Sequence, residues 1–166
     1  YLSTQAREDL PYYQHLDIGY NYKMTNMAAA VGLAQLERLD EIVEKRKRIN
    51  KQYKDLMKSF PGITFQENSG ISDSNFWLTS ILIDEQMTGF SNDRLRVILL
   101  KNGIETRFLW KPLHLQPVYK GIPFYGGKVS ENLFSKGLCL PSSASLTFEQ
   151  QEWIVEIIEK EYKKVV

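Results

Sequence analysis

The 166-residue sequence predicts an α+β fold: a small, largely antiparallel sheet with helices on one face, preceded by one long N-terminal helix. Three observations predict it. Residues 27–60 carry apolar side chains at helical spacing. Beyond them, short aromatic and β-branched stretches alternate with helical ones. Proline and glycine fall between the stretches, and no internal repeat or Gly/Ser linker divides them.

Residues 1–14 are polar and aromatic, and Pro11 breaks any helix there, so they read as a connector. Residues 15–26, from His15 to Asn26, read as a loop, with Gly19 expected to supply a backbone conformation denied to other residues. The long helix follows. Met27, Val31, Ala34, Leu39, Ile42, Val43, Ile49, Tyr53, Leu56 and Met57 recur mostly at gaps of three or four. Thr25 or Asn26 can cap its start, and Phe60-Pro61-Gly62 ends it. At about 1.5 Å per residue it would span roughly 50 Å, more than a domain of this size needs. It is therefore expected to bridge two domains or two subunits. Ala28, Ala29, Ala30, Gly32 and Ala34 would let another backbone approach closely. Gly32 costs about 1 kcal/mol against alanine in a helix interior, which close packing would offset. Farther along, Glu41–Lys45 and Glu44–Arg48 have i,i+4 ion-pair spacing.

After Gly62, Ile63–Phe65 and Phe76–Ile83 read as strands. Ser91-Asn92-Asp93 opens a helix whose buried face is Leu95, Ile98 and Leu99 and whose stop is Gly103. Ile104–Phe108 reads as a strand, 111–127 as an irregular loop rich in proline and glycine, Val129–Lys136 as a short helix and Leu138–Leu140 as a strand. Thr147-Phe148-Glu149-Gln150 has capping-box spacing, and the last helix presents Trp153, Ile154, Ile157, Ile158 and Tyr162. The boundaries expected are a connector and loop at 1–26, a bridging helix at 27–60 and a small domain at 61–166.

Composition narrows the function. A formal net charge of +1 gives no global reason to bind nucleic acid or an anionic membrane. No apolar run approaches a membrane span, no secretory signal is evident, and one cysteine fits a reducing cytoplasm. The run Lys45–Arg48 is split by helical register over an exposed side and reads as a solvated face. The N-terminal residues contain no start signal and read as the middle of a longer chain. Two histidines and one cysteine, far apart, lack metal-ligand spacing, so no metal site is expected. Cys139 sits between Leu138 and Leu140 and reads as a packed, inert thiol. No phosphate-cradling glycine loop is present.

Two polar sets remain. Tyr20, Asn21, Tyr22 and Lys23 combine phenols, an amide and a cation, which suits a phosphate or nucleotide-sugar ligand; an exposed loop is the alternative. Arg107, Trp110, Lys111, His114 and Tyr119 suit a diphosphate, a sugar and a base. The alternative there is a core tryptophan and an ordinary arginine ion pair.

The stretch Gly19-Tyr20-Asn21-Tyr22-Lys23-Met24-Thr25-Asn26, with Ala-Ala-x-Gly-Leu-Ala-Gln-Leu-Glu-Arg-Leu-Asp after it, resembles the signature of the DegT/DnrJ/EryC1 family. These are pyridoxal-phosphate-dependent aminotransferases that act on nucleotide-linked keto sugars. The resemblance continues through Ile104–Tyr119, Gly137–Ser143 and Leu146-Thr147, in the family's order. It implies the small C-terminal domain of a fold-type-I aminotransferase, with pyridoxal 5'-phosphate as cofactor. The large domain that precedes this region in the family carries the lysine that binds the cofactor. The resemblance therefore puts no catalytic residue in this chain and implies a fragment inactive alone. Asn21 matches the asparagine of the family's Gly-x-Asn-x-Arg pattern, which reaches the cofactor phosphate of a neighbouring subunit in a homodimer. Lys23 stands where the family usually has arginine, which keeps the charge and loses the bidentate fork. Tyr20, Tyr22, Arg107, Trp110, Lys111 and His114 are implied as substrate contacts. His15 matches a position before the glycine whose role could be structural.

The implied reaction moves an amino group from L-glutamate to the keto sugar, in amino-sugar biosynthesis for cell-surface polysaccharide. The motif from Glu105 to Val118 resembles most the members that use UDP-4-keto-6-deoxy-N-acetylhexosamine, such as UDP-4-amino-4,6-dideoxy-N-acetylglucosamine transaminases. Two other readings compete with it. One is a helix-mediated interaction module with a Leu36, Leu39, Val43 seam, which does not hold a heptad repeat for three turns of the pattern. The other is a nucleic-acid module on the basic run 45–54.

Overall fold

The computed structural model describes residues 1–11, 14–67 and 70–162. They form two compact units, Tyr1–Asp40 and Glu41–Val166. In the first, backbone hydrogen bonds join the N-terminal segment to the loop expected at 15–26. Tyr20 N–H donates to Leu2 O at 2.7 Å, Gln5 N–H to Tyr20 O at 2.9 Å and Tyr22 N–H to Ser3 O at 3.0 Å. Isolated antiparallel bridges pair Thr4 with Asn21 and Arg7 with His15. Gly19 is required for closeness rather than for an unusual dihedral: a Cβ there would lie 2.1 Å from the Gln5 carbonyl carbon. The positive φ angles of this region belong to Gln5 and Ala6.

Helix α1 spans Asn26–Leu36, and Thr25 caps it by accepting from Ala28 N–H at 3.2 Å. Helix α2 spans Leu39–Leu56. The single helix expected over 27–60 is thus interrupted at Glu37–Arg38, where the backbone tightens: Arg38 N–H donates to Gln35 O, three residues back. No glycine or proline marks this break. In α1 no residue is buried, and Met27, Val31, Leu33 and Leu36 are exposed. The close packing expected at Gly32 is not met among the described residues, since none of them lies within 4 Å of a Cβ built there.

The second unit holds the core. Strands β1 (Ile63–Phe65), β2 (Thr79–Ile83), β3 (Arg107–Phe108) and β4 (Gly137–Leu140) form one antiparallel sheet in the order β1-β2-β4-β3. Ile81 of β2 faces Phe65 of β1 and Leu138 of β4 across the ladder. The period of two then sorts the sheet faces. Ile81, Ile83, Leu138 and Leu140 join Ile49, Tyr53 and Met57 of α2 in one buried cluster, with Leu95 and Leu99 of α4 (Asn92–Lys101) and Ile154, Val155, Ile157 and Ile158 of α6 (Phe148–Tyr162). A four-residue helix, α3 (Glu85–Thr88), lies between β2 and α4. Helices α2, α4 and α6 supply this cluster from one face of the sheet, as the pattern predicts. On the other face the short α5 (Val129–Lys136) adds a layer, with Ser130, Leu133 and Phe134 around the same cavity as Ser80 and Leu82 of β2.

Two strands are shorter than expected, and for the first the reason is visible. Asn75 Oδ1 accepts from Trp77 N–H and Ser74 Oγ from Phe76 N–H, which holds 74–77 out of the ladder. Ile104 and Thr106 are buried and precede a β3 of only two residues. Along α6, Trp153 is exposed, while the polar Gln151 and Glu161 are buried. The expected Glu41–Lys45 pair forms at 2.5 Å, whereas Glu44 pairs with Lys47. The capping box is complete: Gln150 N–H donates to Thr147 Oγ1 at 3.3 Å and Thr147 N–H to Gln150 Oε1 at 3.0 Å. Thr147→Ala removes one arm and should cost about 1 kcal/mol; a urea midpoint unchanged from wild type would contradict this.

Candidate functional site

The first polar set lies in the Tyr1–Asp40 unit. Asn21 and Lys23 line a cleft of about 450 Å³ with Thr4, Gln5, Arg7, Glu8 and Asp9. The bridge between Thr4 and Asn21 places the two chain segments side by side, and the period of two puts Asn21 and Lys23 on one side of theirs. The cleft thus gathers an amide, an ammonium and a guanidinium, all hydrogen-bond donors. Of its two carboxylates, Glu8 is engaged by Gln14 Nε2 at 3.0 Å and Asp9 is exposed. Tyr20 and Tyr22 stack on each other with ring centroids 5.3 Å apart and are exposed. His15 does structural work: its Nδ1 lies 2.9 Å from Gln5 O. Arg7 could not be picked out in the sequence, because only the pairing of the 1–11 segment with residues 15–22 brings it to this cleft.

The second set lies in the Glu41–Val166 unit, and its members do not share one cavity. Trp110 is exposed, with Trp77 beside it at 6.0 Å between centroids. It borders a cavity of about 400 Å³ between β2 and α5, lined also by Gln66, Leu82, Leu109 and Phe134. His114 belongs to a second cleft of about 330 Å³, with Leu113, Tyr119, Ile122, Pro123 and Phe124. There the imidazole stacks on Phe124 at 4.1 Å, and its Nε2 lies 3.0 Å from Glu131 Oε1. Arg107 is exposed and paired with Glu105, and Lys111 is exposed. The alternative of a core tryptophan thus does not hold for Trp110, while the ordinary ion pair of Arg107 is present. The loop 111–127 includes two short 3-10 turns, Leu113–Leu115 and Pro117–Tyr119.

Cys139 is buried on β4, 3.7 Å from the Ser80 hydroxyl. Burial pushes its thiol up from the ordinary range, against the smaller opposing effect of Ser80. Among the described residues no group of His, Cys, Asp and Glu could hold a metal ion, and no helix is long and apolar enough to cross a membrane.

Comparison with known proteins gives the family. EpsN of Bacillus subtilis, which bears the name of a pyridoxal phosphate-dependent aminotransferase, is 41% identical over 162 residues, 95% of this chain and 41% of its own length. The GDP-perosamine synthase of Vibrio cholerae is 35% identical over 147 residues, 88% of this chain and 40% of its own. A DegT DnrJ EryC1 StrS aminotransferase from Brucella abortus superposes with a TM-score of 0.76 at 28% identity, over 97% of this chain and 42% of its own. The chain spans about two fifths of the length of the curated relatives it matches. A family model matches residues 2–159, and the chain belongs to the DegT/DnrJ/EryC1/StrS aminotransferase family.

Proposed function

We propose that this chain forms part of a pyridoxal-phosphate-dependent enzyme that transfers an amino group from L-glutamate to a nucleotide-linked keto sugar. The observation that carries the proposal is the donor set of Asn21, Lys23 and Arg7 on one cleft, in a chain of this family. The set fits the cofactor's phosphate, which accepts hydrogen bonds and carries negative charge. Bound pyridoxal phosphate would supply the electron sink that amino transfer requires. In this reading Asn21 donates an amide N–H to the phosphate and Lys23 gives a point charge without arginine's fork. Tyr20, Tyr22, Arg107, Trp110, Lys111 and His114 contact the substrate. The name GDP-perosamine synthase supports a nucleotide-sugar substrate.

Residues 1–26 serve as connector and active-site loop, 27–60 as the bridging region and 61–166 as the small domain. No lysine of the chain is assigned the covalent cofactor role, and the chain alone is proposed to be inactive. The working form is a cytoplasmic homodimer in which Asn21 reaches the neighbouring subunit's cofactor. The exposed apolar side chains of α1 support a covered position for that helix.

The test is cofactor retention by the complete protein. Asn21→Ala should weaken pyridoxal phosphate binding about tenfold, the effect of one lost hydrogen bond to a charged group. Equilibrium dialysis followed by cofactor absorbance measures it. Wild-type retention in the variant would remove Asn21 from the phosphate site.

A further inference from the structure

We propose that Glu131 is a positioning residue that locks the His114 imidazole with its proton on Nε2, so that Nδ1 is offered as an acceptor to a sugar hydroxyl. This rests on the reading of His114 as a substrate contact.

Two restraints act on the ring, and they are independent. Phe124 stacks on it with centroids 4.1 Å apart and planes 8° apart, which fixes the ring plane. Glu131 Oε1, 3.0 Å from Nε2, fixes the rotation within that plane. An ionised carboxylate only accepts, so Nε2 must donate, and in the neutral imidazole Nδ1 is then the lone-pair nitrogen. Both side chains are partly withdrawn from water, His114 at 15% and Glu131 at 33% exposure, so the contact is less screened than a fully exposed pair.

The two residues sit on supports of different firmness. His114 lies in a segment punctuated by Pro112, Pro117 and Pro123, whose order comes from two three-residue 3-10 turns. Glu131 lies in the first turn of α5, where the helix dipole favours a carboxylate. Leu133 and Phe134 of the same helix border the cavity against β2. The helix therefore gives the loop's imidazole a fixed reference. The cleft it faces is walled by Leu113, Ile122, Pro123 and Phe124, with His114 and Tyr119 as its polar side chains. Apolar and aromatic walls with a few directed polar atoms suit the C–H face and hydroxyls of a sugar ring.

The test has two arms. The first is ¹⁵N NMR of histidine-labelled protein at about pH 8, above the ordinary imidazole range. His114→Asn identifies the His114 signals. Wild type should show a protonated Nε2 and a lone-pair Nδ1. Glu131→Ala should give mixed tautomers, and Glu131→Gln, whose amide oxygen still accepts, should restore the wild-type pattern. The second arm is steady-state kinetics of the complete enzyme with UDP-4-keto-6-deoxy-N-acetylhexosamine and L-glutamate. Glu131→Ala should raise KM for the sugar about tenfold with kcat changed less than about twofold, and the double variant with His114→Ala should be no worse than His114→Ala. An unchanged tautomer in Glu131→Ala overturns the lock. A changed tautomer with unchanged KM, or additive losses in the double variant, overturns its role toward substrate. No turnover by wild type would instead count against the proposed substrate, and the NMR arm would still decide the lock.

Discussion

Arg94→Ala should cost about 3 kcal/mol of folding stability at neutral pH. Glu161 lies near the end of α6 with its side chain 2% exposed, and the guanidinium of Arg94 on α4 is bonded to its Oε1. Arg94 itself is 52% exposed, so its own desolvation is modest and its attraction is partly screened. The cost of the substitution comes from the other partner. A buried carboxylate loses the guanidinium bonded to its Oε1, and removing one member of such a pair is more damaging than replacing both. Arg94→Ala with Glu161→Gln should therefore recover much of the loss. Denaturant unfolding of the three variants measures the effect. A loss below about 1 kcal/mol for Arg94→Ala would mean that the carboxylate is satisfied without the guanidinium and that the pair contributes no more than a surface contact.

That pair also shows where the sequence stops being readable. Signals made within a few residues were legible: the Thr25 and Ser91 caps, the Thr147–Gln150 box and the stripe Leu95, Ile98, Leu99. Their physics is local, so spacing alone carries it. The buried thiol of Cys139 was legible for a similar reason, since its neighbours on β4 are apolar. Glu161, Gln151 and Glu131 were not, because what a polar side chain meets is decided by distant segments. Gln151 donates to Ile49 O across 102 residues, and nothing around it in the sequence announces that. Trp153 failed in the opposite sense: its neighbours Ile154, Val155, Ile157 and Ile158 fill the face toward the sheet, and the indole is left outside. The interruption at Glu37–Arg38 carries no proline or glycine signal, and α1 buries no residue in this chain. At the candidate site the motif located Asn21 and Lys23, but Arg7 entered only through the pairing of backbone segments.

Tyr53→Ala should be the most damaging single change, at about 4 kcal/mol. Tyr53 is fully buried on α2 in the cluster that joins that helix to the sheet. Its hydroxyl donates to Pro141 O at 3.2 Å, so one side chain ties the helix to the end of β4. Truncation removes the ring's packing and leaves a cavity, whereas Tyr53→Phe removes only the hydrogen bond and should cost about 1 kcal/mol. The contrast separates the two contributions. Ionisation adds a third handle. Burial pushes the Tyr53 phenol well above its ordinary value of 10.0, so the folded state holds the proton after the unfolded chain has lost it. The sign follows: this contribution is fully present below pH 10 and is lost as pH rises above it, by up to about 1.4 kcal/mol per pH unit. Tyr53→Phe should therefore be less stable than wild type at pH 7 yet lose stability less steeply between about pH 10 and 11. Parallel pH profiles for the two proteins would show that the ring's ionisation is not coupled to folding. Equal losses for Tyr53→Phe and Tyr53→Ala would show that the hydroxyl, and not the packed ring, holds α2 to the sheet.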